Sequence, residues 1–122
     1  MSVELNHTVV WARDKAASAG FLAGILGLPV GPQSGPFLPV QLGNGVTLDY
    51  AEGGPDPVGQ HYAFRIGEDA FDAAFARIRA AAIAYWADPG HGRPGQLNSM
   101  NGGRGFYFDD PDGHSMELLT VP

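Results

Sequence analysis

The sequence predicts an α+β fold built from two βαβββ halves, and three observations carry that reading. His7 and His61 each open a β-like run that leads into a helix. Each is followed at a similar distance by an aspartate placed to start that helix, Asp14 seven residues on and Asp69 eight residues on. At the far ends, Gly45-Val46-Thr47-Leu48-Asp49-Tyr50 echoes Gly113-His114-Ser115-Met116-Glu117-Leu118, with a glycine in the turn and an acid four positions later. Internal repetition constrains the architecture more strongly than any single element does. It makes Asp49 the first-half counterpart of Glu117. The second half is longer by 14 residues, which the Pro/Gly-rich stretch from Asp88 to Arg104 absorbs. The first half spans about residues 1–52, a linker 53–60, and the second half 61–122; at 122 residues the whole is one domain.

Residues 4–12 are rich in β-formers and read as the first strand. Asp14 is the expected N-cap of a helix running to Leu26, with Phe21, Leu22 and Ile25 on one face and Gly27 as the stop. Short strands follow at residues 36–42 and 46–51, and Pro29 to Gly35 leaves room for one more. Gly53 to Gly59, containing Pro55 and Pro57, punctuates the halves. The second half opens with a strand from His61. Asp69 is then the expected cap of a helix whose apolar positions Phe71, Phe75, Ile78 and Ala82 recur at helical spacing. Strands at 83–87, 105–109 and 115–121 complete the pattern.

Composition narrows the function. The absence of cysteine excludes disulfides and thiolate ligands. A net charge of −6 with scattered Lys and Arg gives no footprint for nucleic acid or an anionic membrane. The N-terminus carries neither a basic region nor a long apolar run, so no signal peptide or membrane span is expected, and a cytoplasmic location is. Chemistry on a small molecule is the reading left.

Strand parity gives the polar groups a direction. In the strand from His61, the residues His61, Ala63 and Arg65 share one face, and Tyr62, Phe64 and Ile66 form an apolar face for the helix to cover. Glu117 points with Ser115 and Leu119. His61 and Glu117 therefore project away from the helices, and Tyr107 joins them if its strand is regular. His7 is less clearly directed, because Leu5, Val9 and Trp11 share its side. Two histidines and a carboxylate are what an open divalent-metal site needs, with remaining positions left for water or substrate. His91, in a Pro/Gly loop, and His114, in the turn, read as surface and turn-capping residues.

The βαβββ repeat, a histidine near the start of each half, and the run Phe106-Tyr107-Phe108-Asp109-Asp110-Pro111-Asp112-Gly113-His114-Ser115-Met116-Glu117-Leu118 resemble the vicinal oxygen chelate superfamily, which includes glyoxalase I, bleomycin-resistance proteins and extradiol dioxygenases. The resemblance spans nearly the whole chain, and the Asp-Pro-Asp-Gly turn with its following acid is the most specific part. It implies cup-shaped mixed sheets backed by helices. It places metal ligands at His7, His61 and Glu117, with Asp49 at the fourth position used by glyoxalase-type members. The implied cofactor is a divalent ion, Zn, Fe, Mn, Ni or Co, chelated by two neighbouring oxygens of a small oxygen-rich substrate. Glu117 is then a candidate base, Tyr107 a catalytic or substrate-contacting residue, and Trp11, Arg65 and Arg104 candidate substrate contacts.

Three chemistries compete within the resemblance. Asp49 favours glyoxalase-like lyase or isomerase chemistry. The two-histidine, one-carboxylate set and Tyr107 favour extradiol dioxygenation, against which stand Asn98 and Asn101, where such enzymes commonly offer an acid/base histidine. Thiol transfer to fosfomycin is disfavoured by Val9, which stands where those enzymes carry threonine. The non-enzymatic alternative is a metal-free binding protein of the bleomycin-resistance type, with Trp11, Tyr85, Trp86, Phe106 and Tyr107 lining its pocket. A homodimer is expected in each case, since two-fold association covers sheet edges that a monomer exposes.

Overall fold

A computed structural model describes residues 2–122. The chain divides into two compact units, Met1–Val58 and Gly59–Pro122. In the first, β1 (His7–Trp11) leads into α1 (Lys15–Leu26), followed by β2 (Leu38–Gln41) and β3 (Thr47–Ala51). The β-branched Thr8, Val9 and Val10 favour the extended chain of β1. Asp14 then starts α1, its carboxylate accepting the Ala17 N–H at 3.1 Å, and Gly27 ends it in the left-handed conformation at φ 71°. Strand β3 is central, parallel to β1 and antiparallel to β2. Helix α1 packs on β2 and β3, and Val10, Leu22, Val40, Leu48 and Tyr50 are buried.

The second unit repeats the order with β4 (His61–Arg65), α2 (Glu68–Ala80), β5 (Gly105–Asp109) and β6 (Ser115–Leu119). Its sheet runs β4-β6-β5, the same path as β1-β3-β2 in the first unit. The molecule is α+β, with two open mixed sheets. Phe106 is fully buried at the centre of an aromatic core, edge-on to Phe71 at 5.5 Å and to Tyr85 at 5.8 Å, with Phe75 at 5.4 Å. Among the described residues, no helix is long and apolar enough to cross a membrane.

Four expectations about elements are corrected. Helix α2 is capped by Gly67, and Asp69 lies inside its first turn. The earlier start places Glu68 and Asp72 four apart on one face, where both hold Arg104, at 3.1 and 2.8 Å. Ala82 lies beyond the helix end, at φ 54°. The strand expected at 83–87 is reduced to a bridge in which Trp86 and Tyr107 exchange both backbone hydrogen bonds, at 2.9 and 2.8 Å. In the first unit, the room left between Pro29 and Gly35 holds no named strand. Gly31 N–H donates to Pro39 at 2.9 Å, but Pro39 occupies the place of Tyr107 and has no N–H to return. A two-bond exchange is impossible there.

Candidate metal centre

Register defines which side chains share the open face of each sheet, because directly paired residues point the same way. In the second unit His61 pairs with Ser115, and Ala63, Glu117 and Tyr107 lie in one row across β4, β6 and β5. The bridge extends that row to Trp86. In the first unit His7 pairs with Thr47, and Asp49 sits between Val9 and Pro39. His7 and Asp49 thus stand in β1 and β3 as His61 and Glu117 stand in β4 and β6.

A locked turn fixes the β4–β6 relation that the site depends on. Asp110 Oδ1 accepts the N–H groups of Asp112 and His114, each at 2.9 Å, and Gly113 closes the turn at φ 81°. His114 is buried, its Nδ1 accepting the Gln60 N–H at 3.0 Å, which ties the turn to the residue before His61. Gly59 completes the junction, since a Cβ there would lie 2.7 Å from the Gly113 carbonyl oxygen. Burial pushes the Asp110 carboxyl above its ordinary range, opposed by the hydrogen bonds from His114 and Asp112.

His61 Nε2 lies 3.1 Å from Glu117 Oε1, and His61 Nδ1 lies 3.0 Å from the Ser115 carbonyl oxygen. A carbonyl only accepts, so Nδ1 carries a proton, and Nε2, a lone pair in the neutral ring, faces the carboxylate either through a proton of its own or as a free donor. Two acceptors at this separation require a cation between them, either a proton or a metal. Ligands bound to one divalent ion at about 2.0–2.2 Å are themselves about 3 Å apart, so the pair fits two positions of a metal site. The carbonyl behind Nδ1 is the outer partner that fixes a ligating imidazole. His7 has the matching partner in Asn6, whose Oδ1 lies 2.7 Å from His7 Nδ1. Sequence reasoning missed Asn6 and the Ser115 carbonyl, although adjacency to His7 was a signal for the first. Among the described residues, no group of three or more His, Cys, Asp or Glu side chains is gathered for metal binding.

Tyr107 is 6% exposed, hydrogen-bonds Glu117 and stacks on His61 with ring centroids 5.9 Å apart. Burial, then the charge of Glu117 and the hydrogen bond to it, raise its phenol above the ordinary range. It is therefore a neutral donor to Glu117. Arg65 shares the open face with His61, four residues along β4, and is exposed. Arg104 is elsewhere: its guanidinium lies 4.4 Å from the Phe71 ring centroid and is neutralised by Glu68 and Asp72 on α2. Trp11, 44% exposed, lies on the face of β1 that carries His7, and a Cβ on Gly54 would come within 3.0 Å of its ring. Of the five aromatic residues considered for a pocket, Tyr85 and Phe106 belong to the core beneath the sheet, whereas Trp86 and Tyr107 stand on its open face.

The family model described as the Glyoxalase/Bleomycin resistance protein/Dioxygenase superfamily matches residues 4–118. Among solved structures, the chain is 59% identical to Oxidase ChaP-H2, covering 100% of this chain and 96% of that one at a TM-score of 0.97. It is 54% identical to Oxidase ChaP-H1, covering 99% and 98% at a TM-score of 0.95. Among curated proteins, it is 29% identical to Glutathione transferase FosA of Serratia marcescens over 124 residues, covering 97% of this chain and 81% of the relative.

Proposed function

Because the chain belongs to the glyoxalase/bleomycin resistance protein/dioxygenase superfamily, we propose that it is a divalent-metal-dependent oxidase of a small molecule bearing two neighbouring oxygens. The observation that carries the metal is the facing of His61 Nε2 and Glu117 Oε1 at 3.1 Å. The full-length identity of 59% to a protein named an oxidase moves the weight from glyoxalase-like isomerisation to oxidation. His7, from this chain or a second copy in a homodimer, supplies the remaining imidazole. The set becomes two histidines and one carboxylate, a donor group suited to non-haem iron. When bound, such an ion polarises the two substrate oxygens and offers a redox centre for dioxygen.

The side chains have separable roles. The Ser115 carbonyl and Asn6 hold the two imidazoles in the ligating tautomer. Tyr107 donates to Glu117 and so restrains the carboxylate. Arg65, on the open face of β4, and Trp11, on the His7 face of β1, are the candidate substrate contacts. The second reading, glyoxalase-like isomerisation, is favoured by Asp49, the register counterpart of Glu117.

An oxygen electrode separates the two. The protein loaded anaerobically with Fe²⁺ is expected to consume dioxygen when given catechol, and His61→Ala is expected to abolish the uptake. Conversion of methylglyoxal and glutathione without oxygen uptake would reject the oxidase. In that case Asp49→Ala is expected to weaken metal binding.

A further inference from the structure

His91 reads from sequence as a surface residue, and it is exposed, but the loop after α2 that carries it is anchored on the open face of the second sheet. Trp86 extends the row Glu117–Tyr107, and its bridge to Tyr107 puts its indole on the face that carries the His61–Glu117 pair. His91 lies flat on that indole, with centroids 3.6 Å apart and 4° between planes. Its Nε2 is 3.6 Å from Asp109 Oδ2, on the residue two beyond Tyr107 and hence on the same face.

The loop is built to hold this imidazole. Asp88 accepts the N–H groups of Gly92 and Arg93 at 2.8 and 2.7 Å, and those bonds, Gly92 first, keep its carboxyl below the ordinary range. A Cβ at Gly92 would meet Asp88 Oδ2 at 3.0 Å, so the turn closes without spare room. His91 itself is held at φ 61°, a conformation uncommon for side-chain-bearing residues and one that concentrates at functional sites when the surroundings enforce it. Neither the metal site nor the core uses His91. Its side chain is 40% exposed, backed by an indole and oriented by a carboxylate.

We propose that the Trp86–His91 stack is a specificity-determining subsite, which takes a flat unsaturated ring of the substrate lying beyond its two chelating oxygens. The inference rests on the chelation reading above and adds the substrate's shape to it. Two strand spacings, about 10 Å, separate Trp86 from Glu117 across the sheet. A single chelating ring leaves that distance open, and a fused second ring extends toward the stack. An imidazole already fixed between Trp86 and Asp109 loses little freedom when a ring packs on its open side, so the gain from stacking is largely retained.

Calorimetry on the Zn²⁺-loaded protein, where the redox-inert ion prevents turnover, tests this with catechol and naphthalene-2,3-diol. The two-ring diol is expected to bind more tightly than catechol to the unmodified protein. His91→Asn removes the ring's stacking area and suits a left-handed backbone; it is expected to lower affinity for the two-ring diol about tenfold and to leave catechol affinity and zinc content unchanged. Trp86→Leu is expected to do the same by removing the support behind the imidazole. If both diols bind and neither variant lowers the two-ring affinity selectively, or if His91→Asn raises it, the subsite is overturned and chelation stands. If neither diol binds the zinc-loaded protein, the chelation reading itself fails and the subsite with it.

Discussion

Glu117→Ala is expected to lower divalent-metal affinity by more than about 100-fold, beyond the 10–100-fold typical of outer-shell substitutions. Among the described residues the carboxylate is the anionic donor that faces His61 Nε2, at 3.1 Å, so its removal leaves one imidazole where two donors converged. Glu117→Gln is expected to fall nearly as far, because shape is kept but charge is lost. Titration with Co²⁺, followed by its visible absorption, measures both. In the metal-free protein the alanine variant also strips the Tyr107 hydroxyl of its acceptor, and a stability loss of about 1–2 kcal/mol is expected. Undiminished Co²⁺ affinity in both variants would remove Glu117 from the site.

Phe106→Ala is the substitution expected to cost the fold most, about 3–5 kcal/mol. Phe106 is 0% exposed, and its ring meets Phe71, Phe75, Tyr85 and Phe108. Its loss leaves a cavity where helix α2 rests on β5, the strand that also carries Tyr107. A melting-temperature drop on the order of 10–20 °C is expected for a chain of this size. Phe106→Leu fills much of the space and is expected to recover more than half of it. Thermal unfolding of the metal-free protein checks the series; a drop of only a few degrees for Phe106→Ala would show that the core collapses into the gap.

The features written most plainly in the sequence were those set by short-range geometry. Alternation along 61–65 and 115–119 was enough to put His61 and Glu117 on one face, and the turn from Asp110 to His114 carried the spacing that joins them. The equivalence of Asp49 and Glu117, read from glycine-to-acid spacing, reappears as identical register against β1 and β4. Tertiary pairing hid the rest. Trp86 joins the sheet through a single bridge, which needs no alternating pattern and leaves none. Asp69 has the chemistry of a cap, but the helix begins at Glu68 so that Glu68 and Asp72 grip Arg104. That same grip takes Arg104, a candidate substrate contact from sequence, out of reach of the open face. His91 lies in a loop as its sequence suggests, but nothing local announces an indole five positions earlier as its platform.

X-ray absorption at the zinc edge of the Zn²⁺-loaded protein decides whether His7, His61 and Glu117 hold one metal, because imidazole scattering counts histidine ligands irrespective of substrate. Two imidazoles and at least one carboxylate oxygen are predicted, at about 2.0–2.2 Å, falling to one imidazole in His7→Ala or His61→Ala. A first shell of oxygens with no imidazole, or a spectrum that neither substitution changes, would contradict it.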